Sequence, residues 1–125
     1  MKSFHTQARQ GDVFIERVDS LPEDLVPVER EGGRVVLAHG EVTGHMHAII
    51  EKHVVQFRAR DVERDVSGDF RLRAGGGLSL TFMKVEDEPC VLTHDEHESI
   101  EIKPGLYRVR RQREYVRGQV KNVAD

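Results

Sequence analysis

Apolar residues in this chain recur at every second position, in short runs closed by glycine or proline. A period of two places side chains on one face of an extended strand, whereas a helix would space them three or four apart. The run "DVFIERV" from Asp12 to Val18 follows Gly11 and is closed by Pro22 and Pro27 in "LPEDLVP". "GGRVVLAHGEVTGHMHAII" opens on Gly32-Gly33 and contains two strand candidates on either side of Gly40. Phe70, Leu72 and Ala74 alternate with Arg71 and Arg73; beyond the glycines of "AGGGLS", Leu78, Leu80 and Phe82 alternate with Ser79, Thr81 and Met83, which predicts a hairpin. Ile100 and Ile102 before Pro104-Gly105, with Tyr107 and Val109 after it, predict a second pair. Only the tail has helical spacing: Val116, Val120 and Val123 share a helical face, interrupted by Gly118. The pattern predicts an all-β protein, a single small β-barrel or sandwich over residues 1–125, with a short C-terminal helix.

A length of 125 residues suits one domain with one core. That core is thin, because hydrophobic residues make up 38% and aromatics 6% against 33% charged. The net charge of -3 gives no global basicity of the kind that advertises nucleic acid. Cys90 is the single cysteine, so an internal disulfide is excluded and a reducing compartment is expected. The opening "MKSFHTQARQGDVF" lacks an apolar stretch of signal-peptide length, and no run approaches the roughly 18 apolar residues of a membrane span. The expectation is a cytoplasmic protein without membrane contact.

Within that frame the histidines stand out. "TGHMHAIIEKH" places His45, His47 and His53 with Glu51 in one short stretch, and "LTHDEHESI" adds His94 and His97. If the first stretch is extended, His45, His47, Ile49, Glu51 and His53 share a face, while Met46, Ala48 and Ile50 take the other. Imidazoles at alternate strand positions reach one ion, and closing the site needs a partner such as His94 and His97, whose spacing of three converges from a turn. The expected cofactor is a divalent transition metal, Zn, Fe, Mn or Ni, held by His45, His47, His94 and His97, with Glu51 as the alternative carboxylate. The bland alternative is histidines that bond to backbone or face water. The surplus of donors favours a site with an open position, which would suit hydrolysis through activated water or oxygen chemistry, although the sequence indicates neither. A small-molecule ligand and a homo-oligomer both stay open.

"GEVTGHMHAIIE" resembles the first motif of the cupins, and "IEIKPGLYRV" resembles the Pro-Gly turn that opens their second. The resemblance implies a small β-barrel with a divalent metal, and gives His45, His47 and Glu51 as ligands. Tyr107 and Arg108 stand where a cupin places its last histidine, so His94 or His97 would have to substitute. "GEVTGHMH", "LTHDEH" and "RVRRQREY" together are also similar to a set of uncharacterised small bacterial and phage proteins.

A different class of function is carried by "LYRVRRQREYVRGQVK". Arg108, Arg110, Arg111 and Arg113, with Tyr115 interleaved, could neutralise phosphates and stack on bases, or meet an acidic protein partner. The structural alternative pairs these arginines with the acids of "VEDE" and "HDEHE". Nucleophilic chemistry has less support: Cys90 lies near His94 in sequence only, "AGGGLS" lacks the lysine of a phosphate loop, and "HDEHE" is not H-E-x-x-H.

Overall fold

The computed structural model describes residues 1–39, 45–64, 70–72, 80–111, 113–116 and 119–122, and the regular elements among them are all strands. In chain order they are β1 (Gln7–Gln10), β2 (Val13–Val18), β3 (Leu25–Pro27), β4 (Val35–His39), β5 (Met46–Ile49), β6 (Val54–Ala59) and β7 (Val62–Arg64). They continue with β8 (Phe70–Leu72), β9 (Leu80–Val85), β10 (Cys90–Leu92), β11 (Ile100–Ile102), β12 (Gly105–Arg111), β13 (Arg113–Val116) and β14 (Gln119–Asn122). Among the described residues no helix is long and apolar enough to cross a membrane.

The largest sheet is antiparallel and runs β1-β2-β12-β9-β6-β3. Its centre is β12, which pairs Val109 with Ile15 of β2 on one side and with Thr81 of β9 on the other. Alternation decides the faces. Tyr107, Val109 and Arg111 are buried, while Arg108 and Arg110 occupy the opposite face. On β2, Val13 and Ile15 are buried in the same way.

The remaining buried surface comes from two short ladders, β4-β5 and β10-β11. They are stitched together where Ala48 and Thr93 exchange backbone hydrogen bonds of 3.0 and 2.9 Å. Val35, Leu37 and Ile49 from the first ladder, and Cys90, Leu92, Ile100 and Ile102 from the second, pack into one cluster with Ile15, Met83, Tyr107 and Val109 of the large sheet. Each fully buried aliphatic side chain there contributes about 1.5–3 kcal/mol of burial. Both faces of β5 are enclosed, because His47, Ala48 and Ile49 are all buried.

Several sequence expectations need correction. The large sheet does not close, since its edges β1 and β3 have no ladder to each other; among the described residues the fold is all-β and forms no closed barrel. The predicted C-terminal helix is replaced by the pair β13-β14, with Tyr115 opposite Val120; Val123 lies outside the described residues. β-branched valines such as Val116 and Val120 suit strands. The described parts of the 70–82 segment do not pair with each other: β8 pairs with β7, and β9 with β6 and β12. β11 and β12 also lie in different sheets, because the chain crosses between layers at Pro104-Gly105.

Candidate functional site

The inward face of β12 is apolar until its last residue, where Arg111 meets a group of buried polar side chains. Gln10 is 3% exposed, Asp12 and His47 are 0%, His94 is 7% and Arg111 is 5%. The end of β1, the β1–β2 turn, β5 and the turn after β10 supply them, so each comes from a different piece of backbone. Asp12 pairs through Oδ2 with Arg111 Nε, and Arg111 also donates through Nη2 to the His39 carbonyl at the end of β4. A charge this deeply buried needs such a partner to be tolerated.

His47 is held from both sides. Its Nδ1 lies 2.8 Å from Gln10 Oε1, and its Nε2 lies 3.5 Å from Asp12 Oδ1. Gln10 in turn donates through Nε2 to the carbonyls of Leu92 at 3.1 Å and Glu98 at 2.9 Å. Those two carbonyls flank the segment that carries His94 and His97, so one glutamine side chain ties β5 to that turn.

The structure brings together the four histidines singled out in the sequence. The ring of His47 lies 4.3 Å from that of His94 and 6.0 Å from that of His97, His94 and His97 are 4.7 Å apart, and His45 is 6.0 Å from His94. His94 Nδ1 accepts the Glu96 backbone N–H at 3.1 Å. Burial first, then the neighbouring His47 and His97, push the pKa of His94 below its ordinary value. His45 faces the acids of its partner turn, with Nδ1 3.1 Å from Glu96 Oε1 and Nε2 3.6 Å from Asp95 Oδ2. The Nε2 atoms of His94 and His97 are enclosed and have no hydrogen-bond partner among the described residues. No three His, Cys, Asp or Glu side chains among the described residues present their donors together as a ready metal-binding group. The rings are adjacent, but their nitrogens do not converge.

Glu51 and His53 are placed elsewhere, because β5 ends at Ile49 and the chain turns. Glu51 Oε2 accepts the Val91 N–H at 3.1 Å, and His53 Nε2 lies 3.1 Å from the Pro89 carbonyl. Cys90 is buried, and burial followed by the Glu51 carboxylate pushes its thiol up to about 12. A thiol held that high is not a nucleophile at neutral pH.

The arginine segment is divided by the pleat. Arg108 pairs with Glu16, directly opposite it on β2, and Arg110 extends over the Phe14 ring at 4.9 Å. Arg111 is the buried partner of Asp12. Arg108 and Arg111 thus engage acids at the β2 end of the sheet, Glu16 and Asp12, because β2 is the neighbouring strand. Arg113 and Tyr115 fall on β13, and their side chains lie outside the described residues. Gln10 and Asp12 were not visible as site residues in the sequence: one ends an unremarkable strand, and the other sits in a turn where aspartate is ordinary.

A family model described as Domain of unknown function (DUF8820) matches residues 9–112, a span that includes every residue of this polar end. No curated protein and no solved structure matches the chain.

Proposed function

We propose that this chain, which belongs to the DUF8820 family of domains of unknown function, binds a divalent transition metal at the polar end of its core. His47, His94 and His97 are the nearest donors and His45 stands beside them. Asp12, 3.5 Å from His47 Nε2, is the carboxylate at the rings, whereas Glu51 is turned to Val91. Imidazole with one carboxylate is a donor set that Zn, Fe, Mn and Ni accept.

The observation that carries the reading is the pair of enclosed Nε2 atoms on His94 and His97, neither with a hydrogen-bond partner among the described residues. Leaving a polar atom buried and unsatisfied costs about 1–3 kcal/mol, which a bound cation would offset. Ligation through His94 Nε2 requires its ring proton on Nδ1 and so releases the Glu96 N–H, a change confined to that turn.

Elemental analysis of protein purified without a histidine tag tests the reading. Bound metal is expected, removed by His47→Ala, His94→Ala or His97→Ala and retained in Glu51→Gln. Less than about a tenth of an equivalent of any transition metal, with no change in melting on adding Zn, Mn, Ni or Fe, would overturn it, since a ligand of the native state must raise stability.

A further inference from the structure

We infer that the outer face of the six-stranded sheet is a docking surface for single-stranded nucleic acid, centred on Arg9, Phe14 and Arg110. The inference is independent of the proposed metal site, which lies on the inner side of the same sheet.

The ladders define the surface. Residues directly opposite one another on adjacent strands share a face, so each register lays out a row across the sheet. One row runs through Arg9, Phe14 and Arg110 on β1, β2 and β12. The next runs through Glu16, Arg108, Phe82 and Phe57 on β2, β12, β9 and β6. Both rows point away from the core, because the alternate residues Ala8, Ile15, Val109 and Met83 pack into it. The sequence groups Arg111 with Arg108 and Arg110, but the pleat takes Arg111 to the buried side, and β1 supplies Arg9 to this face instead.

Charge and chemistry identify the occupant. Arg108 is engaged by Glu16, and Lys84, also on this face, by Glu86 at 2.9 Å. Arg9 and Arg110 differ: both are exposed, and neither forms an ion pair with an acid among the described residues. Arg9 uses only Nε, on the Gly11 carbonyl at 2.8 Å, and Arg110 lies over the Phe14 ring at 4.9 Å. Two such guanidinium groups on either side of an aromatic ring are complementary to phosphate oxygens, which their remaining N–H groups can meet in pairs. A guanidinium carried on a ring also offers a plane on which an unpaired base stacks, and the part-exposed Phe57 in the next row offers another. Charge alone would suit an acidic peptide equally well. Stackable planes beside the arginines favour a ligand that alternates phosphate with ring, and a duplex keeps its rings inside the stack. From β1 to β6 the sheet spans four strand spacings, about 19 Å, which is room for about four nucleotides.

Fluorescence anisotropy with the full chain and labelled oligothymidylate and oligouridylate of about 20 nucleotides, between about 50 and 200 mM salt, tests the inference. Binding that weakens with salt is expected. In Arg9→Gln and in Arg110→Gln the slope of log K against log salt should each time fall by about 0.7, the share of one phosphate on a single strand. Phe14→Leu should weaken binding about tenfold. Glu16→Gln removes the acid that engages Arg108 and should tighten binding, a gain that a misfolded variant cannot produce. Binding of neither oligonucleotide, unchanged slopes in both arginine variants, no tightening in Glu16→Gln, or equal or tighter binding of a duplex of the same length would overturn the inference. So would capture of polyglutamate or of phosphatidylserine vesicles in place of the oligonucleotides, which would assign the same arginines to an acidic protein or to a membrane.

Discussion

Single residues at the polar end show how burial and partners, rather than residue type, set chemical character. Asp12 would be a surface turn residue in most settings, but here it is the buried counter-charge of Arg111. His94 illustrates the consequence for pH. Its folded pKa lies below 6.5 because burial and two neighbouring histidines oppose its charge. Between that depressed value and 6.5 the unfolded chain binds more protons than the folded one, so stability falls as pH drops through the window and levels off below it. Denaturant titrations of chelator-treated protein from pH 8 to pH 5 should show this decline. His94→Asn keeps an acceptor for the Glu96 N–H but cannot titrate, so its profile should be shallower. An identical slope in both proteins would assign the decline to other groups.

Among the elements, the crossing from β11 into β12 is tightly constrained at Gly105. Gly105 has φ of 156°, and a Cβ added there would overlap the Arg17 guanidinium at Nη1. Arg17 is the clamp of this corner: it donates to the carbonyls of His5 and Pro104 and to the Tyr107 hydroxyl, and its guanidinium lies 5.0 Å from the Tyr107 ring centre. Gly105→Ala should therefore displace Arg17 and destabilise the protein by about 1–3 kcal/mol. In an Arg17→Ala background the same glycine substitution should cost clearly less, because the side chain it displaces is already gone. Equal costs in the two backgrounds would place the penalty in the backbone alone. The corner matters to the site because β12 carries Arg111 at its far end.

For the molecule as a whole, the polar end is where separate layers meet. Arg111 belongs to the large sheet and Asp12 to its β1–β2 turn, His47 to the β4-β5 ladder, and His94 and His97 to the turn that follows β10. An ion shared among them would cross-link layers otherwise joined by a thin apolar core. Zn at about 100 times its dissociation constant should stabilise the fold by about 2.7 kcal/mol, a rise in melting temperature on the order of 10 °C. Hydrogen exchange should slow in the 45–49 and 93–97 segments together. Protection of only one segment would mean that the ion does not bridge them.

How much of this was legible beforehand differs between the fold and the site. Period-two alternation in "DVFIERV" and "GLYRVRR" determined strands with known inward residues, since side-chain direction along an extended chain depends on the local backbone alone. The two histidine groups were likewise legible as groups. Strand partners were not: the alternation on either side of "AGGGLS" and of Pro104-Gly105 describes a strand equally well whichever neighbour it has, and non-local packing chose different neighbours. The same limit hid Gln10 and Asp12, and the turn after Ile49, which sets Glu51 against the Val91 N–H, was equally invisible in the spacing from His47. Composition and spacing determined the kinds of side chain available and their local direction. Only the tertiary structure decided which of them share a buried space, because burial and hydrogen-bond satisfaction are properties of segments far apart in sequence meeting at one place.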